Sequence, residues 1–257
     1  MRDTSLLQLC ISLARQGGDH AATCRSHGLS DLAHKSSATD LVTLCDRTTE
    51  TLIVDRLRTE RPEDSITGEE GADHLGTSGL VWHLDPIDGT TNFVYGLSAW
   101  CTSVAVADEQ GAIAGAVYLP MHQELFSASR GGGATLNGQE ITCSQPDDLA
   151  QALVATGFGY EAARRQVQSY RLSTLITSVR DIRRSGSAAI DLCFVACGRV
   201  DAYYEDNLNS WDIAAGELIA REAGALSTGF DAGPPTAAHL VVASPKVHEA
   251  LRLLISH

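Results

Sequence analysis

A chain of 257 residues, 44% hydrophobic and 20% charged, has the length for a substantial core and the ordinary composition of a globular protein. Its 32 acidic and 19 basic residues leave a formal net charge of −13, which argues against nucleic acid or an anionic membrane as the main partner, since both call for a basic surface. The same balance suits a protein that gathers carboxylates around cations.

The first segment, MRDTSLLQLCISLARQ, places Leu6, Leu9, Cys10, Leu13 and Ala14 at helical spacing, and no small-residue cleavage site follows. An amphipathic first helix is expected, not an export signal. No apolar run approaches the ~20 residues that cross a bilayer. Seven cysteines are scattered without a C-x-x-C pair, the pattern of reduced thiols in a cytoplasmic protein. Cys193 and Cys197, one helical turn apart with no histidine nearby, read as core packing.

From Asp40 a helix is expected, with Leu41, Leu44, Cys45, Leu52 and Leu57 on or near one face and Pro62 as its stop. Ser65 to Thr67 is a short strand leading into Gly68-Glu69-Glu70. Val81 to Asp85 is a buried strand ending at Pro86. Strands at 101–107 and 112–120 flank the turn Asp108 to Gly111, and strand 124–130 runs through three glycines to an Asn137-Gly138 hairpin. The glycines lack the lysine and helix of a phosphate loop. The second half alternates strand 152–158, a helix within 160–179, helix 187–197, strand 201–205, helix 211–223, strand 239–244 and a last helix capped by Ser244 with Pro245 in its first turn. Mixed α/β sheets layered with helices are the natural architecture. With no repeat or linker, 1–257 reads as a single domain, its 1–145 part carrying most of the acids of interest and its 146–257 part carrying Asp212.

The informative stretch is WHLDPIDGTTNF, residues 82–93. A strand that stops near Asp85 and opens a helix near Asp88-Gly89-Thr90 sets two carboxylates at the carboxyl edge of a sheet, where open α/β sheets bind ligands. The N–H groups of Gly89, Thr90 and Thr91 favour an anion in the same place. Carboxylates and an anion repel unless a cation lies between them, so Asp85 and Asp88 are best explained as ligands of a divalent metal with phosphate seated beyond it. Glu69 after its strand and Asp212 in the first turn of its helix are further oxygen donors, and His83 is taken to point away by strand alternation. An all-oxygen set favours Mg²⁺, with Mn²⁺ as the substitute, over zinc. Two such ions ~3.5–4 Å apart can hold an attacking water and a leaving oxygen in line.

Taken together these residues resemble the inositol monophosphatase family of Mg²⁺-dependent, lithium-sensitive phosphatases, from Lys35 almost to the C-terminus. The matching segments are K-x₄-D-L-V-T-x₂-D (Lys35, Asp40 to Thr43, Asp46), G-E-E (68–70), D-P-I-D-G-T-T-N-F (85–93), R-S-G-S-A-A (184–189), D-A-Y-Y-E (201–205) and W-D-I-A-A-G (211–216). The resemblance implies an αβαβα layered sandwich and a homodimer. It implies a first metal on Glu69, Asp85 and the Ile87 carbonyl, and a second on Asp85, Asp88 and Asp212. A third, weaker ion would use Glu69 and water. Thr90 and Asp46 would position the attacking water, with Glu69 counted in the catalytic set. Amides of Gly89 and Thr90 would hold phosphate oxygens. Gly186, Ser187, Ala188 and Glu205, with Asp88 and Asp212, would meet the hydroxyls of a small phosphorylated polyol.

The chain departs from the family pattern at Leu44-Cys45, at Gly71-Ala72, at Ser187 where threonine is common, and at Asn209-Ser210 where proline is frequent. None of these is a ligand position. Hydrolysis of myo-inositol monophosphate is the expected reaction. Histidinol phosphate and other sugar or nucleotide phosphates are the alternatives within the same chemistry, and a regulatory binding protein that keeps the fold is the alternative outside it.

Overall fold

The computed structural model describes residues 4–27, 33–34, 41–42 and 44–256. Lys35, Asp40 and Thr43 of the first matching segment lie outside them. The first helix, Thr4–Ser26 (α1), buries Leu6, Leu9, Cys10, Leu13 and Ala14, so its apolar stripe behaves as the spacing predicts. Ala33–His34 (β1) pairs antiparallel with Leu41–Val42 (β2), and the next helix, Leu44–Glu60 (α2), starts only after that strand. The expected start at Asp40 is therefore too early: backbone pairing with β1 claims Leu41 and Val42.

The buried side of α2 is also displaced from the expected leucine face. Leu44 is 37% exposed, whereas Cys45, Asp46, Thr49, Glu50, Ile53, Val54 and Leu57 are buried. A helix that buries two acids and a threonine does so for a polar purpose, because each buried polar group costs free energy unless it is partnered.

Ser65–Gly68 (β3), Val81–Asp88 (β4), Cys101–Asp108 (β5), Gly111–Leu119 (β6), Glu124–Ser129 (β7), Ala134–Leu136 (β8) and Gln139–Glu140 (β9) form one sheet in sequence order. Only β3 and β4 run parallel; the rest are successive antiparallel neighbours, and Asn137-Gly138 closes the last hairpin as expected. The triple-glycine turn docks by donating the Gly131 and Gly133 N–H groups to the Glu222 carboxylate, at 2.9 and 3.1 Å.

Leu153–Thr156 (β10), Asp181–Arg183 (β11), Ala202–Asp206 (β12), Leu226–Thr228 (β13) and His239–Ala243 (β14) form the second sheet, in the order β11-β10-β12-β14-β13. Ala188–Ala196 (α5) and Ser210–Glu222 (α6) lie between the two sheets. Their Ile190, Leu192, Ala215, Leu218 and Ile219 share one core with Val117 and Phe126 of the first sheet and Tyr203, Leu240 and Val242 of the second. On the outer face of the first sheet, α1 and α2 pack over Trp82, Leu84, Val104 and Val106. On the outer face of the second, Leu175 of Ala162–Leu175 (α4) and Val247, Leu251 and Ile255 of Pro245–Ile255 (α7) pack over Val154, Ala202, Tyr204 and Val241. This is the expected αβαβα layering. Pro245 opens α7 as predicted, but the Ser244 side chain makes no capping bond.

Two further expectations are overturned. Strand β4 does not stop at Asp85. It continues through Pro86 to Asp88, with a register shift in which Asp85 faces Ser103 and Asp88 faces Cys101 on β5. The cysteines are not all free thiols either. Cys24 at the end of α1 and Cys45 at the start of α2 form a disulfide, while Cys10, Cys101, Cys143, Cys193 and Cys197 are unpaired. Nothing in linear spacing marks that pair, because the packing of α1 against α2 brings the two together.

Candidate active site

The register shift on β4 explains the pair of aspartates. Pro86 and Ile87 on β4 lie opposite the single residue Thr102 on β5, so one extra residue is inserted, and Asp85 and Asp88 emerge on the same side of a strand whose alternation would otherwise separate them. Asp85 is 2% exposed, and its Oδ1 accepts the Ile87 N–H at 3.0 Å. Asp88 Oδ2 accepts the Ser187 hydroxyl at 2.6 Å and the Ala189 N–H at 2.7 Å, so the start of α5 is bonded directly to the end of β4. Ser187 is also the N-cap of α5, with its Oγ accepting the Ile190 N–H.

Gly89 then takes a left-handed conformation, φ 97° and ψ 38°, that turns the chain from strand into Thr90–Tyr95 (α3). A Cβ here would stand 2.9 Å from the Ala99 carbonyl oxygen, so only glycine fits. The Thr90 hydroxyl lies 3.1 Å from the Ile87 carbonyl oxygen and 3.4 Å from Asp46 Oδ1, which is fully buried behind it. Glu69 follows β3 and is anchored by its N–H to the Leu84 carbonyl at 3.2 Å. Asp212 is the third residue of α6, where its Oδ2 accepts the Asn209 N–H at 2.6 Å in a capping box.

Four carboxylates thus meet from three places in the fold, the end of β3, β4 and the start of α6, and their charges are mutually unfavourable. Burial, followed by repulsion from Glu69, Asp88 and Asp212, pushes Asp85 well above the ordinary carboxylate range. Burial and the Asp88 charge do the same to Asp212. Asp88 is pushed up to about 6 by burial in spite of its donors Ser187 and Ala189. Glu69 and Asp85 stand within hydrogen-bond reach of each other, a contact that two ionised carboxylates cannot keep without a proton or a cation between them. This donor set fits a hard divalent ion held by oxygens. Among the described residues no group of three or more acidic, histidine or cysteine side chains is already arranged to hold a metal ion.

A cavity of about 360 Å³ opens over these acids, lined by Glu69, Asp85, Ile87, Asp88, Gly89, Thr90 and Asp212 on one side and Gly186, Ser187, Ala188 and Glu205 on the other. Every site residue singled out in the sequence lines this cavity except Asp46, whose Oδ1 lies behind the Thr90 hydroxyl. The Asn92 amide holds the two walls together by donating to the Ala99 and Ser185 carbonyls at 2.6 and 2.8 Å. Glu205 accepts the Tyr203 hydroxyl at 2.7 Å, and burial pushes it up to about 7 although Arg184 nearby pulls the other way.

Sequence reasoning missed Asp191, a cavity-lining acid one turn into α5, 2% exposed and raised to about 8 by burial. Its signal was available: it lies four residues after the N-cap Ser187, on the same helical face. His83 is also corrected. Its Nδ1 lies 3.0 Å from the Ser210 hydroxyl at the start of α6, so it faces the side on which Asp85 lies, as two residues of like parity on a strand should. Burial lowers its pKa.

These acids make the metal-free protein sensitive to alkali. Asp88, Asp191 and Glu205 rise from ordinary values of 3.8, 3.8 and 4.5 to about 6, 8 and 7 in the fold. Between those limits the native state holds protons that the unfolded chain has released, so stability falls as pH rises. In chelator the melting temperature is expected to drop by several degrees from pH 5 to pH 8, and millimolar Mg²⁺ should flatten the slope. A metal-free melting temperature that is level or climbs over that window would contradict this electrostatic account.

Comparison with known proteins agrees with the architecture. The model of the inositol monophosphatase family matches residues 4–256. The inositol-1-monophosphatase of Mycobacterium leprae is 48% identical over 228 residues, 84% of this chain and 78% of that protein. A protein of Pasteurella multocida named Nus factor SuhB is 39% identical over 94% of this chain and 92% of its own length. The solved Thermotoga maritima IMPase superposes with a TM-score of 0.88 at 31% identity, covering 97% of this chain and 96% of that one. With its αβαβα layers and its acids gathered where the fold brings β4, α5 and α6 together, the chain belongs to the inositol monophosphatase family.

Proposed function

We propose that the protein is a Mg²⁺-dependent phosphoric monoester hydrolase that converts myo-inositol monophosphate to myo-inositol and phosphate. The observation that carries the reading is the convergence of Glu69, Asp85, Asp88 and Asp212 beside the Gly89-Thr90 turn, with Glu205 across the cavity. Glu69, Asp85 and the Ile87 carbonyl would hold one ion, and Asp85, Asp88 and Asp212 a second. Bound Mg²⁺ supplies Lewis-acid stabilisation of phosphoryl charge and lowers the pKa of water.

The chain's own groups do the rest. The Thr90 hydroxyl, set between Asp46 and the Ile87 carbonyl, orients the attacking water, and Asp46 accepts proton density through it. The backbone N–H groups at the start of α3 face the phosphate oxygens. Glu205, with one oxygen on Tyr203, keeps acceptor capacity for vicinal hydroxyls. Arg184 already offsets its charge, so a neutral polyol suits this wall better than a second cation.

A second reading has its own support in relatives that carry the name Nus factor SuhB, at 38–39% identity. A binding role of that kind can coexist with hydrolysis.

The test is phosphate release from myo-inositol 1-phosphate and L-histidinol phosphate, side by side, with and without Mg²⁺. Preference for the inositol ester, lost when Glu205 is changed to Gln, is the expected result. Preference for histidinol phosphate would move the substrate assignment, and release that is indifferent to metal would end the mechanism.

A further inference from the structure

Helix α2 carries two buried acids one turn apart. Asp46 faces Thr90, but Glu50, only 4% exposed, has no part in the chemistry described so far. Its carboxylate turns instead to the loop that follows β3. Oε2 accepts the Glu70 N–H at 2.9 Å and Oε1 accepts the Ala72 N–H at 3.1 Å. The fit is close: a Cβ at Gly68 would stand 2.4 Å from Oε2 and 2.8 Å from the carboxyl carbon.

Placing an acid here is unfavourable. Burial pushes Glu50 up to about 7, and the charges of Glu70 and Glu69 add to the effect. A plain helix-to-loop tie could use a neutral side chain. What an amide cannot do is accept two N–H donors with two oxygens, one on each side of a turn. The turn so held begins with Glu69, whose own N–H is pinned to the Leu84 carbonyl on β4. Glu69 is thus fixed on one side by the sheet and on the other by Glu50.

We propose that Glu50 is a positioning residue for the metal-holding loop: its two carboxylate oxygens fix the backbone of residues 70–72 and so set the direction in which Glu69 meets Asp85. The inference rests on the metal reading of the acids. It makes α2 a shared support, with Asp46 steadying the water side through Thr90 and Glu50 steadying the metal side. Outer residues that orient ligands are commonly worth ~10–100-fold in metal affinity.

The experiment measures Mn²⁺ binding to the metal-free protein by electron paramagnetic resonance, together with thermal melting and kcat at saturating metal. Glu50→Gln keeps the size and one acceptor. It is expected to weaken the tightest Mn²⁺ site about tenfold, with kcat at saturating metal and the metal-free melting temperature close to those of the parent. Gly68→Ala, which displaces the same carboxylate while leaving Glu50 in place, should weaken Mn²⁺ in the same way and serves if the first variant folds poorly. Combining the two should add little, as for residues acting through one contact. Unchanged Mn²⁺ affinity in both single variants overturns the proposal. So does a loss of kcat and melting temperature in parallel with affinity, which is the signature of a general fold defect. A parent protein that binds no Mn²⁺ at all overturns the metal reading as well, so the two failures are distinguishable.

Discussion

Asp85→Asn is expected to lower Mg²⁺-dependent phosphate release from myo-inositol 1-phosphate on the order of 10²–10³-fold or more, the scale seen when one preorganised electrostatic group is removed. Asp85 is the acid proposed to bridge both ions, and it lies deepest among its neighbours, 2% exposed with Glu69, Asp88 and Asp212 all bearing on it. The same substitution should act oppositely on stability. The native acid is pushed well above its ordinary range by burial and repulsion, so its ionisation opposes folding at neutral pH. An amide removes that cost, and the metal-free variant should melt no lower than the metal-free parent at pH 8. Added Mg²⁺ should raise the parent's melting temperature through selective binding to the native state and leave the variant nearly unmoved. Thermal scans with and without metal, beside a phosphate-release assay, read all of this at once. Full turnover in the variant would remove Asp85 from the mechanism.

Gly89→Ala should damage both the fold and the site. The residue sits at φ 97°, and an added Cβ would meet the Ala99 carbonyl oxygen at 2.9 Å and the Trp100 Cα at 3.3 Å. The left-handed conformation alone costs an L-residue roughly 1–2 kcal/mol. Backbone atoms cannot swing away as a flexible side chain would, so a total of ~2–3 kcal/mol is expected. That corresponds to a fall in melting temperature of about 5–10 °C for a chain of this size. Any accommodation moves the start of α3, carrying the Thr90 hydroxyl and the nearby amides with it. A displacement of ~1 Å in such a group costs on the order of 10²-fold in rate. The outcome that would count against this argument is an alanine variant with parental melting and parental turnover.

The two substitutions differ in how visible their grounds were in the chain. The run DPIDGTTNF shows the acids, the turn and the helix start together, because strand, turn and capping preferences are local. The same locality made α1 legible: its burial follows an unbroken 3.6-residue stripe. It also made Asn137-Gly138 a reliable hairpin signal. Glu69 and Asp212 could be singled out because each sits at the end of a readable element.

Helix α2 shows where local reading stops. Its buried side is half polar, so the hydrophobic stripe finds Cys45 and Leu57 but includes the exposed Leu44 and misses Asp46, Thr49 and Glu50. Asp46 and Glu50 are buried because distant partners, Thr90 and the 70–72 backbone, are there to meet them. The pairing of Cys24 with Cys45 escaped notice for the same reason.

The sequence by itself determined most element types, the layered class and most of the acids that line the cavity, because periodicity, turn residues and acid spacing are properties of short segments. The tertiary structure alone decided that β4 passes through Pro86 with one inserted residue, which is what turns Asp85 and Asp88 to the same side. It also decided which buried acids meet distant partners. Register shifts and buried polar contacts are settled by pairing between residues far apart in the chain, and a linear pattern carries no record of that pairing.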